Sequence, residues 1–388
     1  MSAPIVIAAG GTGGHFFPAE ALATELASRG HTLVLMTDNR AGRRTHGVFA
    51  GAEQHVLPGT GIAGHGLSRK LAGALSLARG AWAARRILAR LRPAAVVGFG
   101  GYPSVPPLLG ARLLGRRRPP IVLHEGNAVL GQANAQLARF ADAIATSFPR
   151  VARLPAGASA VLTGMPVRSE IAAAAHSAYP DASGPLRLLV WGGSLGARVF
   201  ADVVPHTLAA LPADLRGRIS VTQQVRAEDM DRVRAAYAQA GITAEIAPFL
   251  DNIAARLVAS HLVIGRAGGS SVAELAMVGR PSIMVPLPIA ASDEQGANAA
   301  SLVEAGGGWM LRQPEFTPET LAPLLTGLLT DPARLATAAQ AAASLGRQGA
   351  ARALADLVET RLTISRDQCL HSASAKAIPG VANRGMPA

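Results

Sequence analysis

Cysteine, aromatic residues and charge are all scarce in this sequence of 388 residues. The single cysteine, Cys369, excludes an intrachain disulfide and a cysteine-rich metal site. Charged residues make up 16% and hydrophobic ones 49%, a balance that excludes a chain disordered throughout. No apolar run reaches the ~18–20 residues that a bilayer-spanning helix needs, and the first ten residues lack a secretory signal pattern. We therefore expect a cytosolic chain with two domains of ordinary size.

The net charge of +12 is confined to one half of the chain. Residues 1–165 contain 18 Lys and Arg against 6 Asp and Glu, whereas residues 166–388 contain 19 of each. Such asymmetry indicates contact with an anionic surface, either nucleic acid or phospholipid. An arginine-rich composition without such a partner is the alternative. The stretch 69–92 has seven basic residues, no acidic residue, and leucines with Trp82 between them. This pattern is typical of an amphipathic basic helix at an anionic membrane, and a solvated face over a packed helix is the alternative.

Both halves of the sequence follow the same order of apolar run, glycine-rich turn and helix. Pro4–Ala9 leads into Gly10–His15, and Leu186–Trp191 leads into Gly192–Ala197. Apolar runs without alternation, separated by helical stretches, indicate parallel strands buried on both faces. We therefore expect an α/β fold of two Rossmann-like, doubly wound domains that face each other across a cleft. The other predicted strands are Thr32–Met36, Ala94–Val97, Ile121–Leu123, Ala143–Ala145, Ala160–Leu162, Ile219–Thr222, Ala244–Ala247, Leu262–Ile264 and Ser282–Val285.

The hinge between the domains is predicted near Thr163–Arg168. The Ala-rich stretch Asp331–Arg361 is expected to be helical and to close the second domain, with Asp331 as an N-cap before Pro332. Periodicity is lost after Thr363, which predicts a mobile tail. The predicted units are residues 1–164, residues 165–345, a C-terminal helix over 346–362 and a flexible tail over 363–388.

Three glycine-rich turns that follow strands together indicate phosphate binding, whereas a tight connection between strand and helix is the alternative for each turn alone. Glycine lets the backbone approach a phosphate closely, and the start of the next helix supplies N–H groups and a positive dipole. The first turn is not a dinucleotide fingerprint, because Phe16 stands where the third glycine belongs, and no P-loop motif occurs. In Gly265–Glu274, a helix is predicted to begin at Gly268, and its N-terminus is suited to bind a diphosphate. Glu274 follows one turn later, where it can accept hydrogen bonds from ribose hydroxyls; an acidic residue favoured by the helix dipole is the alternative.

Two motifs that contain histidine also follow strands of the first half. His15 closes the first glycine turn and is the candidate general base, although a histidine at a helix start often only caps or packs. In His124–Asn127, Glu125 is placed to orient or assist this base and Asn127 to bind sugar hydroxyls. Asp229-Met-Asp231 spells the Asp-x-Asp of metal-dependent sugar transferases, but residues two apart point to different faces of a helix. We expect exposed surface there and no metal site.

Six motifs occur in order between about residue 4 and about residue 310: Ala9–His15, Gly100–Ser104, His124–Asn127, Gly164–Arg168, Gly192–Arg198 and Arg266–Glu274. In this order they resemble the MurG family, the UDP-N-acetylglucosamine:N-acetylmuramyl-(pentapeptide) pyrophosphoryl-undecaprenol N-acetylglucosaminyltransferases. The resemblance implies a GT-B fold, with a membrane-facing acceptor domain first and a UDP-sugar domain second. Family members often have Gln where Gly126 stands, and His or Gln where Glu294 stands. By similarity, donor contacts fall on Thr12, Gly13, Gly14, Asn127, Arg168, Ser194, Ile253, Glu274 and Gln295.

The activity implied by the resemblance is an inverting transfer of N-acetylglucosamine from its UDP conjugate. The acceptor is the 4-hydroxyl of undecaprenyl-pyrophosphoryl-N-acetylmuramyl-pentapeptide, and the product is the β-1,4-linked disaccharide precursor of peptidoglycan. His15 is the first candidate for the base and Glu125 the second, while Arg168 and the helix starts near Ser194 and Gly268 stabilise the departing UDP. No cofactor or metal is expected.

The implied location is peripheral, on the cytoplasmic face of the bacterial inner membrane. Anionic inner-leaflet phospholipid is an expected partner and nucleic acid is not. Another UDP-sugar enzyme, either a lipid glycosyltransferase or a UDP-N-acetylglucosamine 2-epimerase, is the alternative among enzymes. A basic nucleic-acid-binding protein is the alternative from another class, but it would not explain the glycine turns, and stacking aromatics are rare in the basic stretches.

Overall fold

The structure is a computed structural model that describes residues 3–11, 13–58, 67–175, 177–193, 196–288 and 292–374. In these ranges the chain forms two parallel sheets with helices packed against them. The strands are β1 (Ile5–Ala8), β2 (Leu33–Asp38), β3 (Glu53–Leu57), β4 (Ala95–Gly98), β5 (Ile121–Glu125), β6 (Ala143–Thr146), β7 (Ala160–Leu162), β8 (Leu186–Trp191), β9 (Ile219–Gln224), β10 (Thr243–Ala247), β11 (Leu262–Gly265), β12 (Ser282–Met284) and β13 (Gly308–Met310).

The helices of the described ranges are α1 (Gly13–Ser28), α2 (Leu67–Leu91), α3 (Gly101–Arg112), α4 (Gln132–Leu137), α5 (Ser169–Ala173), α6 (Arg198–Ala209), α7 (Ala213–Arg216), α8 (Met230–Gln239), α9 (Ile253–Ala259), α10 (Gly269–Val278), α11 (Glu294–Glu304), α12 (Pro318–Leu329), α13 (Pro332–Ser344) and α14 (Ala350–Ser374). Short 3-10 helices span Gly47–Phe49, Gly115–Arg117, Ala138–Phe140, Ala227–Asp229 and Gln313–Glu315. Among the described residues, no helix is both long enough and apolar enough to cross a membrane.

The first sheet has the order β3-β2-β1-β4-β5-β6-β7, and each neighbouring pair is parallel. β1 lies inside the sheet, with Ile5 in register with Leu33 on one side and Ala95 on the other. All four residues of β1 are buried, as expected for a strand covered on both faces. One face packs against α1 and α14, and the other packs against α2, α3 and α4.

The second sheet repeats this arrangement, with the order β10-β9-β8-β11-β12-β13 and parallel pairing throughout. Leu186, at the start of β8, is fully buried in the core that α6, α8 and α12 cover. The opposite face packs against α9, α10, α11 and α13. The prediction of two doubly wound parallel domains is confirmed.

Every predicted strand is present, and two strands were not predicted, β3 and β13. The first helix also begins earlier than expected. It was expected to follow the glycine turn Gly10–His15, but α1 begins at Gly13, so the end of that turn forms its first turn and Pro18 lies inside the helix. β2 likewise ends at Asp38 rather than at Met36.

The Ala-rich stretch near the C-terminus forms two helices with different partners. Its predicted start is confirmed, because Asp331 Oδ1 accepts a hydrogen bond of 2.9 Å from the backbone N–H of Arg334. α13 packs on the second domain, but α14 crosses back and inserts Leu354 and Val358 into the core of the first. The expectation that the whole stretch closes the second domain is therefore wrong for α14.

The helix α14 also continues past Thr363 to Ser374, where the sequence predicted a mobile tail. Residues 375–388 of that predicted tail lie outside the described residues. Arg29 of the first domain donates hydrogen bonds of 2.6 Å to Asp356 and 2.7 Å to Glu359, which fasten α14 to α1. The predicted boundaries at residues 164 and 345 stay predictions.

Candidate active site

The two domains meet at a cleft formed by loops at the carboxyl ends of their strands. The start of α10 lies against the loop after β5, so closely that a Cβ atom on Gly269 would overlap the carbonyl oxygen of Gly126. Ser270 Oγ donates a hydrogen bond of 3.2 Å to the carbonyl oxygen of Gly14. That oxygen would pair in an α-helix with the N–H of residue 18, which is proline and has none. The proline in α1 therefore leaves an acceptor that the second domain uses.

Asn298, on α11, ties the two sides of the cleft together. Its side chain is fully buried. Its Oδ1 accepts from the backbone N–H of Ala128 at 2.8 Å, while its Nδ2 donates to Asn127 Oδ1 and to the carbonyl oxygen of Ala267, both at 3.0 Å. The Asn127 oxygen, which was predicted to contact the donor, is thus engaged by the second domain. The sequence offered no signal for this bridge, because Asn298 lies 171 positions from Asn127.

A cavity of about 120 Å³, here named the α10 pocket, lies between α1, the linker before α5, and α10. It brings together five of the predicted donor contacts: Gly13, Gly14, Arg168, Ile253 and Glu274. Its other lining residues are Phe17, Trp191, Gly193, Gln224, Phe249, Leu250, Ser270 and Ser271. The predicted contacts Thr12 and Ser194 lie outside the described residues.

Glu274 and Arg168 form a two-pronged ion pair in the α10 pocket. Arg168 Nε and Nη2 donate to the two carboxylate oxygens of Glu274, each at 3.0 Å. Glu274 is buried, and burial raises its pKa to about 7, while the charge and hydrogen bonds of Arg168 oppose that rise. Arg168 also lies over the ring of Phe17, 4.9 Å from its centroid. Glu274 is the sixth residue of α10, so the alternative of a first-turn acid favoured by the helix dipole does not apply.

The start of α10 has the geometry of an anion site. Gly268 has extended backbone and stands directly before the helix, whose first turn carries no acidic residue and no side-chain cap from the described residues. The N–H groups of a first turn have no partners within the helix, and the dipole is positive there. Gln295, whose predicted contact with the donor stays a prediction, holds neighbouring loops through its side-chain oxygen. Its Oε1 accepts from the backbone N–H of Leu287 at 3.0 Å and of Ala267 at 3.3 Å.

A second cavity of about 270 Å³, here named the His15 pocket, lies on the first-domain side of the cleft. The imidazole of His15 lies against Gly100 and Gly101, whose φ angles of 78° and 64° suit glycine. A Cβ atom at Gly101 would lie 3.3 Å from the ring, and one at Gly100 would lie 3.3 Å from Asn134 Nδ2. These close contacts and the two positive φ angles explain the glycine pair of this motif. Burial lowers the pKa of His15, and a hydrogen bond with the backbone of Phe99 and the charge of Glu294 oppose that effect.

Glu125 anchors the loop beneath the His15 pocket. Its Oε1 accepts from the backbone and side-chain nitrogens of Asn127 at 2.9 and 3.2 Å, and its Oε2 accepts from Gly131 N and Asn134 Nδ2, both at 2.9 Å. Burial raises the pKa of Glu125, and these hydrogen bonds oppose the rise. Asn134 was not among the predicted site residues, since its role depends on α4 folding over β5.

Comparisons with known proteins agree with this geometry. The chain matches the Glycosyltransferase family 28 N-terminal domain over residues 5–146 and the Glycosyltransferase family 28 C-terminal domain over residues 187–357. The UDP-N-acetylglucosamine--N-acetylmuramyl-(pentapeptide) pyrophosphoryl-undecaprenol N-acetylglucosamine transferase of Gluconobacter oxydans is 62% identical over 363 residues, which cover 93% of this chain and 100% of that protein. The equally named protein of Granulibacter bethesdensis is 56% identical, over 94% of this chain and 95% of that one.

The crystal structure of Acinetobacter baumannii MurG superposes with a TM-score of 0.75 at 30% identity, over 92% of this chain and 99% of that one. The chain belongs to the MurG family. The resemblance inferred from the six motifs, the GT-B fold and a UDP-sugar-dependent glycosyltransferase activity are thereby confirmed. These comparisons exclude the alternative that the chain is an epimerase.

The Asp-x-Asp sequence of this MurG-family chain lies at the start of α8. The expectation of exposed surface is correct for Asp231, but Asp229 is buried and accepts a hydrogen bond of 2.8 Å from Arg232. Asp229 therefore orders the start of α8. Among the described residues, no three His, Cys, Asp or Glu side chains are grouped to hold a metal, and independence from metal stays a prediction.

Proposed function

We propose that this chain transfers N-acetylglucosamine from UDP-N-acetylglucosamine to the 4-hydroxyl of undecaprenyl-pyrophosphoryl-N-acetylmuramyl-pentapeptide, with inversion. The product is the β-1,4-linked disaccharide precursor of peptidoglycan. The observation that carries this function is the 62% identity with a relative of that named activity over 93% of the chain. The two pockets that meet in one cleft supply a place for each substrate.

The α10 pocket is the proposed donor site. The first turn of α10 after Gly268 receives the diphosphate, and Glu274 accepts hydrogen bonds from the ribose hydroxyls. Ile253, at the start of α9, supplies an apolar wall for the uracil. As the bond between C1 and the diphosphate breaks, charge develops on UDP, and the helix start with the guanidinium of Arg168 stabilises it.

The His15 pocket is the proposed acceptor site. His15 takes the proton of the muramyl 4-hydroxyl, whose oxygen forms a bond with C1 of N-acetylglucosamine. The C1–O bond to UDP breaks, and its electron pair leaves with UDP. His15 supports this role better than Glu125, because both oxygens of Glu125 already accept hydrogen bonds from the loop that they anchor.

The first domain carries the proposed membrane surface, and the proposed location is peripheral, on the cytoplasmic face of the inner membrane. Leu75, Trp82 and Leu113 are 51%, 56% and 53% exposed, and the Arg85 guanidinium lies 5.0 Å from the Trp82 ring centroid. Four arginines line a nearby cavity of about 780 Å³: Arg85, Arg92, Arg117 and Arg118. Exposed apolar side chains beside clustered arginines suit anionic inner-leaflet phospholipid.

The transfer reaction is tested by incubating the purified chain with radiolabelled UDP-N-acetylglucosamine and the lipid-linked muramyl-pentapeptide, with and without a chelator. We expect a labelled disaccharide lipid at equal rates in both samples. If UDP and UDP-N-acetylglucosamine fail to bind in calorimetry at millimolar concentration, and no labelled lipid forms, the proposed function is wrong.

The membrane surface is tested by sedimentation with vesicles that contain or lack anionic phospholipid. We expect binding to anionic vesicles that weakens as salt rises, and a clear loss of binding for Trp82→Ser. Ile364→Ser is the matched control, because Ile364 is also an exposed apolar residue on a long helix, but it lies on α14. Equal binding by both variants would contradict the proposed surface.

A further inference from the structure

One carboxylate in the His15 pocket comes from the opposite domain. Glu294 is the first residue of α11 and lines the same cavity of about 270 Å³ as His15 and Glu125. Among the described residues that line this cavity, every other one belongs to the first domain. The side chain of Glu294 is half-buried, so solvent screens its charge less than that of a fully exposed carboxylate.

The backbone before Glu294 is held rigidly. Asp293 has a φ of 48°, in the left-handed region that a non-glycine residue rarely adopts. Its two carboxylate oxygens accept hydrogen bonds of 2.6 and 2.8 Å from the two terminal nitrogens of Arg312. Gly296 packs so closely on this pair that a Cβ atom there would overlap both side chains. Backbone strain of this kind persists only where the surroundings impose it, and it concentrates at functional sites.

The same loop is also fastened to the first domain. Arg153 Nη1 donates a hydrogen bond of 2.9 Å to Ser292 Oγ, two residues before Glu294. The position of Glu294 in the His15 pocket therefore depends on a strained turn, a bidentate ion pair and a contact between domains. Each of these would be unnecessary for a carboxylate that only faces solvent.

The charged groups around Glu294 favour an interaction with His15. Burial and the like charge of Glu125 raise the pKa of Glu294, and the charges of His15 and Arg153 oppose that rise. In return, the charge of Glu294 raises the pKa of His15 against the effect of burial. Burial lowers the pKa of the neighbouring His124 to about 4, so that ring is neutral at physiological pH and does not compete for the carboxylate.

We propose that Glu294 is a positioning residue for the transfer, which orients His15 and stabilises its imidazolium from the second domain. This inference rests on the proposed function. When the proton of the acceptor hydroxyl moves to His15 and the C1–O bond to UDP breaks, the new positive charge on the imidazole lies near the Glu294 carboxylate. Since that carboxylate belongs to the second domain, the base reaches full strength only while the two domains face each other.

The test compares Glu294→Gln with Glu304→Gln. Glu304 is a matched control, because it ends the same helix and also pairs with the first domain, through a 2.6 Å bond from Arg150, but outside the His15 pocket. The transfer rate is measured against pH for both variants and for the unaltered chain. The pKa of His15 is measured in parallel by NMR titration of histidine-labelled protein, with the signal assigned through His15→Gln.

For Glu294→Gln we expect kcat to fall about tenfold, because the imidazolium loses its counter-charge. The acidic limb of the kcat/KM profile should move to lower pH by on the order of one unit, and the NMR pKa of His15 should fall in step. Glu294→Asp, which keeps the charge, should leave the limb closer to its original position. Glu304→Gln should change neither quantity.

A lower kcat with an unmoved acidic limb and an unmoved NMR pKa would assign Glu294 a purely structural role and overturn the inference. An increase in KM for UDP-N-acetylglucosamine at unchanged kcat would assign it to donor binding, with the same consequence. A failure of the unaltered chain to transfer N-acetylglucosamine would instead overturn the proposed function, and the NMR titration would still test the coupling of His15 and Glu294.

Discussion

At the scale of single residues, proline and glycine determine the closest contacts of the cleft. Pro18 lacks the N–H that would occupy the carbonyl of Gly14, and Ser270 donates to that carbonyl from the other domain. Gly269 permits the approach to the loop after β5 that any side chain would block. These residues do no chemistry themselves, but they fix the distance across which the chemistry takes place.

Replacing His15 by alanine tests the assignment of the base. We expect kcat to fall by about 10²–10⁴, because a general base typically contributes that factor. The affinity for UDP, measured by calorimetry, should change little, since His15 lies in the other pocket. Turnover close to that of the unaltered chain would refute the assignment and leave Glu125 as the candidate.

The pH dependence of donor binding tests Glu274. Its pKa of about 7 is raised by burial and by Glu170, and Arg168 opposes the rise. Ribose hydroxyls donate to the ionised carboxylate, so the affinity for UDP-N-acetylglucosamine should be full above pH ~8 and decrease as the pH falls through 7. Glu274→Gln should bind about 10- to 100-fold more weakly at pH 8, because a hydrogen bond to a charged group is lost.

Calorimetry between pH 6 and pH 9 measures this effect. Glu274→Gln is the control for the titration of other groups. Its weaker affinity for UDP-N-acetylglucosamine should stay constant between pH 6 and pH 9. UDP-N-acetylglucosamine is the suitable ligand, since its diphosphate carries no terminal phosphate group that titrates there. An affinity of the unaltered chain that stays constant from pH 6 to pH 9 would contradict the role of Glu274.

At the scale of elements, α14 shows how the end of the chain stabilises its beginning. Leu354 is fully buried in the core beneath α1, although it follows the whole second domain in sequence. Leu354→Ala should destabilise the first domain by about 2–5 kcal/mol through the cavity it leaves. The amides of β1 and β4 should then exchange hydrogen faster in native-state exchange, which reports on that domain directly.

Ile364→Ala is the control for this experiment, because Ile364 lies on the same helix and is 41% exposed. It should change the stability by less than about 0.5 kcal/mol. If Leu354→Ala leaves exchange in β1 unaltered while it destabilises the second sheet, the packing of α14 on the first domain is wrong.

At the scale of the whole molecule, we expect activity to depend on how closely the two domains approach each other. Gly269→Ala should keep the two domains folded but hold them apart, because its methyl group would meet the carbonyl of Gly126. We expect the transfer rate to fall about 100-fold, as for other small misplacements of reacting groups. Small-angle scattering should show a larger radius of gyration with donor bound.

Gly327→Ala is the matched control, because Gly327 lies inside α12 and a Cβ atom there meets nothing within 4 Å. Alanine is the better helix former, so this variant should gain up to ~1 kcal/mol of stability and keep full activity. Equal activity of Gly269→Ala and Gly327→Ala would show that the approach of α10 to the loop after β5 is not needed for transfer.

The strands show where sequence patterns succeed and where they fail. Inner strands such as β1 are buried on both faces and therefore appear as apolar runs that any sequence reading detects. The edge strand β3, Glu53–Leu57, has exposed Glu53 and a polar composition, and β13 has three residues beginning with glycine. These two strands form because β2 and β12 pair with them, and their own sequences lack an apolar run, so neither strand was predicted.

The sequence by itself determined the two doubly wound domains, the glycine turns before helices and the candidate residues His15, Glu125 and Glu274, because these depend on local pattern and residue chemistry. Arg168 became a candidate only through the resemblance to the MurG family. Tertiary structure alone decided that α14 returns to the first domain, that Asn298 bridges the cleft, and that Glu294 enters the His15 pocket. Such contacts join residues more than a hundred positions apart, and no local preference of the chain encodes which distant surfaces meet.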